Sequence, residues 1–100
     1  MIQHIVFFTF KEEALGMTRE ELKVEAKKRL EALRETIPYI RKLIVGIDYS
    51  NTQNSFDISL YTEFDTNKDL ENYQVDPYHV EVKEFMVEVL EKRAVVDAEI

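Results

Sequence analysis

Ile2-Gln3-His4-Ile5-Val6-Phe7-Phe8-Thr9-Phe10 is the stretch on which the fold turns. It is rich in β-branched and aromatic residues, and Lys11-Glu12-Glu13 closes it, so it reads as a first strand. Side chains alternate across a strand, giving one face of His4, Val6, Phe8 and Phe10 and another of Ile5, Phe7 and Thr9. Both faces are largely apolar, the pattern of a strand covered on two sides.

Next along the chain, Thr18-Arg19-Glu20-Glu21 is a capping box, flanked by Met17 and Leu22 at the positions of a hydrophobic staple. From there Leu22, Ala26, Leu30, Leu33 and Ile37 form one apolar stripe at helical spacing, which Pro38 ends. Residues 41–49 read as a second strand, with Leu43, Val45, Ile47 and Tyr49 on one face and Ile44, Gly46 and Asp48 on the other. The polar run 50–55 is a turn or short loop. Residues 56–64 read as a third strand, Phe56, Ile58, Leu60 and Phe64 against Asp57, Ser59, Tyr61 and Glu63. Thr66 caps a short helix through Tyr73, and Asp76-Pro77 starts another that turns Val82, Phe85, Met86, Val89 and Leu90 inward. Residues 94–100 complete the set as a terminal strand. The order predicts one α+β domain over residues 1–100, a ferredoxin-like four-stranded antiparallel sheet with helices on one face.

That architecture leaves a sheet face without helices. The helix-facing set is Val6, Phe8, Leu43, Val45, Ile58, Leu60 and Phe64, so Ile5, Phe7, Ile44 and Tyr61 lie together on the other side. Burying a large apolar side chain contributes roughly 1.5–3 kcal/mol, a large increment beside the ~5–15 kcal/mol stability of a whole domain. The expectation is a homodimer in which two sheets cover each other through those four residues. The alternative is a monomer with a tolerated patch, which Asp57, Ser59 and Glu63 on the same face would make more soluble.

Composition narrows the partners. A net charge of −7 opposes a phosphate-binding surface, so neither nucleic acid nor an anionic membrane is an expected partner. No cysteine is present, which excludes disulfides, thiolate nucleophiles and cysteine-ligated zinc. Two histidines without metal-ligand spacing predict no transition-metal site, and no cofactor is expected. The first residues lack a basic n-region and a cleavage site, and no apolar run reaches the roughly 20 residues of a membrane helix, so the expected location is the cytoplasm.

Several segments together resemble one family: His4-Ile5-Val6-Phe7-Phe8 with Phe10, Val45-Gly46-Ile47-Asp48, Tyr73-Gln74 with Asp76-Pro77-Tyr78-His79, and Val95-Val96-Asp97. In order and spacing they are similar to the stress-responsive α/β-barrel (Dabb) domain across essentially the whole chain. The resemblance implies a dimeric α+β barrel and a link to stress response, without implying one activity. A plant member, olivetolic acid cyclase, closes a polyketide by aldol condensation, and the positions matching its Tyr and His are Tyr73 and His79. Asp76 stands where the family often begins a His-Pro-x-His motif, and Ala98 follows Asp97 where an aromatic is common.

On that resemblance His79 is a candidate general base and Tyr73 a candidate partner for an enolate oxygen, roles suited to an imidazole and a phenol. His4, Val6, Phe8, Phe64, Phe85 and Met86 are candidates to line a small apolar ligand. The same residues are also what a packed strand and a helix start would contain. Three readings stay open: a non-catalytic or small-molecule-binding homodimer, an enzyme with cyclase-like acid/base chemistry, and an interaction module using the acidic helices, whose charge is otherwise a solvated surface.

Overall fold

A computed structural model describes residues 1–100. The first strand, β1 (Ile2–Phe10), is central, pairing antiparallel with β5 (Ile58–Phe64) on one side and β6 (Leu90–Glu99) on the other. With β4 (Lys42–Ile47) the sheet order is β4-β5-β1-β6, a ferredoxin-like arrangement, and three helices lie against it. They are α1 (Arg19–Thr36), α2 (Asn67–Val75) and α3 (Pro77–Val89).

The local signals explain where the elements begin. Thr18 Oγ1 accepts the Glu21 N–H while the Glu21 carboxylate accepts the Thr18 N–H, so α1 starts on a complete capping box. Leu22, Ala26, Leu30, Leu33 and Ile37 are buried against the inner sheet face, where Val6, Phe8, Phe10, Leu43, Val45, Ile58, Leu60 and Phe64 meet them. The opposite face has no helix: Ile5, Phe7 and Tyr61 are half-buried and Ile44 is 49% exposed.

Three expectations need correction, and one element adds to them. A two-stranded hairpin, β2 (Glu13–Ala14) with β3 (Met17–Thr18), precedes α1, and its turn holds Leu15 and Gly16 at φ 52° and 74°. Left-handed backbone at two successive residues suits the twist of a tight hairpin, although leucine there is uncommon. The second strand stops at Ile47, because the Asp48 carboxylate accepts the Ser50 hydroxyl and the Asn51 N–H, turning the chain and leaving Tyr49 exposed. The third strand starts at Ile58, after a bend at Asp57 that inverts the preceding alternation. Asp57 accepts the Phe10 N–H at 2.8 Å and faces Lys23 of α1, while Phe56 turns to the outer side and its ring centroid lies 6.0 Å from that of Phe7. The last strand begins at Leu90, directly off α3, so Leu90 is a half-buried strand residue rather than part of the helix stripe.

Replacing Thr18 with Ala removes the acceptor at the start of α1. We expect a loss of about 1 kcal/mol in urea unfolding, with an unchanged denaturant slope.

Candidate functional site

His4 is the one ionisable residue in the inner-face series of β1, and its neighbours across the sheet are Thr62 and Asp97. The buried Thr62 hydroxyl donates to the His4 carbonyl at 2.7 Å, fixing the backbone there. On the other side the His4 ring, 4% exposed, donates from Nδ1 to the half-exposed Asp97 carboxylate at 2.5 Å. A carboxylate on Nδ1 holds the ring in one tautomer and orientation, leaving Nε2 as the basic nitrogen.

His79 arrives from the helix layer. Asp76 closes α2, its N–H donating to the Tyr73 carbonyl, and also opens α3 by accepting the Tyr78 N–H at 2.9 Å, with Pro77 as the first helical residue. This shared corner folds the His79 ring flat onto Tyr73, with centroids 3.8 Å apart and planes at 22°. Tyr73 in turn meets His4 edge-on at 6.0 Å and Phe64 at 5.1 Å, so its ring separates the two imidazoles.

Burial governs the electrostatics here. It pushes the His79 pKa down to about 4, helped by the nearby Lys83 ammonium and only weakly opposed by the Tyr73 backbone and Asp76. His79 is therefore neutral at pH 7, and its buried Nδ1 has no hydrogen-bond partner. Burial likewise raises the Tyr73 phenol, whose hydroxyl is also unpaired.

A cavity of about 160 Å³ lies between α3 and the inner sheet face. Of the residues expected at a site, His4, Val6, Phe8, His79 and Met86 line it. Three do not. Tyr73 is fully buried behind the His79 ring, Phe64 sits beyond Tyr73, and Phe85 packs under the Arg29 guanidinium at 3.9 Å. The phenol therefore cannot touch a molecule in the cavity unless His79 moves. Sequence reasoning passed over Asp97 as the partner of His4, and Lys83 and Arg93 in the cavity wall. Lys83 was readable, four residues after His79 on the same helix face, whereas Asp97 and Arg93 depend on the register of β6 against β1. No three His, Asp or Glu side chains assemble as a metal site. The arrangement offers an apolar wall, one tethered imidazole and one neutral imidazole.

A sequence model of the family described as Stress responsive A/B Barrel Domain (Dabb) matches residues 2–100. Among solved structures, a dimeric protein of unknown function with a ferredoxin-like fold from Bacteroides fragilis is 35% identical, with a TM-score of 0.83, over 99% of this chain and 95% of that one. A Dabb family protein from Mesorhizobium loti, 25% identical, superposes with a TM-score of 0.72 over 99% and 95% of the two chains. A hydroxynitrile lyase from Passiflora edulis shares the fold, with a TM-score of 0.84 at 18% identity over 99% and 92%. No curated protein matches.

Because the His79 pKa is depressed in the folded state, unfolded chains bind the extra proton first as pH falls below about 6.5. Stability from this group is complete above about 6.5 and is lost towards about 4. An NMR titration should place the His79 midpoint near 4, and His79→Leu should flatten the fall in urea stability between pH 6.5 and 4.

Proposed function

The chain belongs to the stress-responsive A/B barrel domain family, and from that premise we propose that it is a homodimer whose subunits each bind a small, largely apolar molecule in the helix-to-sheet cavity. The dimer would form through the face of Ile5, Phe7, Ile44 and Tyr61, which has no cover of its own and is continued by the exposed Val96 of β6. The Bacteroides fragilis relative is described as dimeric, which supports the reading. A cytoplasmic location and an association with stress belong to the same proposal.

The observation that carries the binding function is a cavity walled by Val6, Phe8, Leu60 and Met86 and entered by two imidazoles. Apolar cavities of about 150 Å³ are large enough for benzene, so a single ring or a short chain matches the space. Neutral His79 then supplies hydrogen bonding to a polar end of the ligand without a charge to desolvate.

A second reading, acid/base catalysis at carbon, is favoured by the His4–Asp97 pair. A base works best with a pKa near the operating pH, which the low value of His79 does not provide. The tethered imidazole of His4 takes the base role in this version, with the N–H of neutral His79 donating to the carbonyl oxygen. Tyr73 then acts as the plate that spaces the two rings.

Sedimentation should return the mass of two chains for the native protein and of one chain for Ile44→Asp; a native monomer would end the dimer reading. In a thermal-shift screen of small aromatic and aliphatic carbonyl compounds, we expect at least one to raise the native midpoint. Its affinity should fall about tenfold, or ~1.4 kcal/mol, in His79→Leu. No stabilising compound, or equal binding by the variant, would remove the cavity from the proposal. Deuterium exchange at the methyl group of acetophenone, faster with native protein than with His4→Gln, would identify the catalytic version.

A further inference from the structure

The chain carries 20 acidic against 13 basic residues, yet no carboxylate lines the cavity, and the two charged residues that do are Lys83 and Arg93. They approach from different elements. Lys83 follows His79 by one helical turn on α3, and Met86 continues the same stripe. The Lys83 ammonium donates to the Gln74 carbonyl at 3.3 Å, which ties it to the end of α2 beside His79. Arg93 stands on β6 directly opposite Phe8, on the sheet face that points towards the helices. Glu81, Glu84 and Glu88 of α3 stay outside the wall, and neither cation joins any of the ion pairs of the molecule. Of the carboxylates of β6 near Arg93, Asp97 is already held by His4 and Glu91 lies 4.0 Å from Arg19.

We propose that the cavity selects small carboxylic acids, with the apolar body against Val6, Phe8, Leu60 and Met86 and the carboxylate between Lys83 and Arg93. This rests on the reading of the cavity as a binding site and adds the charge of its ligand. An acidic surface repels anions in general, so two unpaired cations at one opening give a local field that runs against the rest of the molecule. Arginine matches a carboxylate with two parallel donors and lysine adds a point charge. Lys83 lines the same wall as His79, one helical turn further along α3. His79 remains neutral there and competes with neither cation for the anion.

The test uses benzoate and hexanoate with their neutral counterparts benzamide and hexanamide, titrated calorimetrically at pH 7 into native protein and into Lys83→Gln, Arg93→Gln and the double variant. Both side chains are exposed, so the substitutions leave the core intact. The readout is the ratio of acid to amide affinity, which a general loss of binding does not move. We expect at least one acid to bind tenfold or more tightly than its amide, and the double variant to bring that ratio to about one. Amides binding as well as acids would overturn the charge selectivity while leaving the binding cavity in place. A ratio unchanged in the double variant would also overturn it, because the anion would then be held elsewhere. Failure of all four compounds to bind would overturn both this inference and the cavity reading.

Discussion

Everything in this domain depends on β1 being hydrogen-bonded along both edges. A strand paired with β5 on one side and β6 on the other cannot rotate or slip, so its side chains are committed to alternate faces. Every second residue, from Ile2 to Phe10, enters the core beneath the helices. His4 belongs to that series and is carried inward with Val6 and Phe8. A polar ring is thereby placed under the helix layer by the same constraint that builds the apolar core.

The constraint has a second consequence, because three helices cover only one side of the sheet. The inner residues of β1, β4 and β5 are almost fully buried, while β6, at the edge, is exposed along nearly its whole length. The cavity opens where this coverage thins, between α3 and the β1–β6 half of the sheet. Its polar groups carry an energetic cost in a small domain. The Tyr73 hydroxyl and His79 Nδ1 are both buried without partners, and an unpaired buried polar atom costs about 1–3 kcal/mol. Apolar residues of similar shape would make a more stable core at these positions.

Much of the fold could be read in the sequence because its signals are local. The capping box at Thr18, the Asp76-Pro77 corner and the alternation in 2–10 each involve residues within a few positions of one another. Part of what escaped depends on contacts made at long range. Asp57 inverts the faces before β5 because its carboxylate is captured by the Phe10 N–H, 47 residues away. Asp97 finds His4 across 93 residues, through a register that one strand alone does not specify. Tyr73 and His79 were both identifiable as site candidates, but their spacing of six residues spans a helix break. The stacking of one ring over the other follows from the angle at that break and not from either helix.

The two histidines are best understood as a contrasted pair. His4 has a carboxylate on Nδ1, and His79 has burial and a lysine ammonium. One imidazole is thus given an anion, and the other is desolvated beside a cation. The first is held in one orientation by that carboxylate, and the second is kept neutral. Tyr73 keeps the rings apart, touching both without offering its hydroxyl to either. The difference between the two rings follows from the pairing of β6 with β1, which brings Asp97 to His4, and from the turn between α2 and α3, which buries His79 beside Lys83.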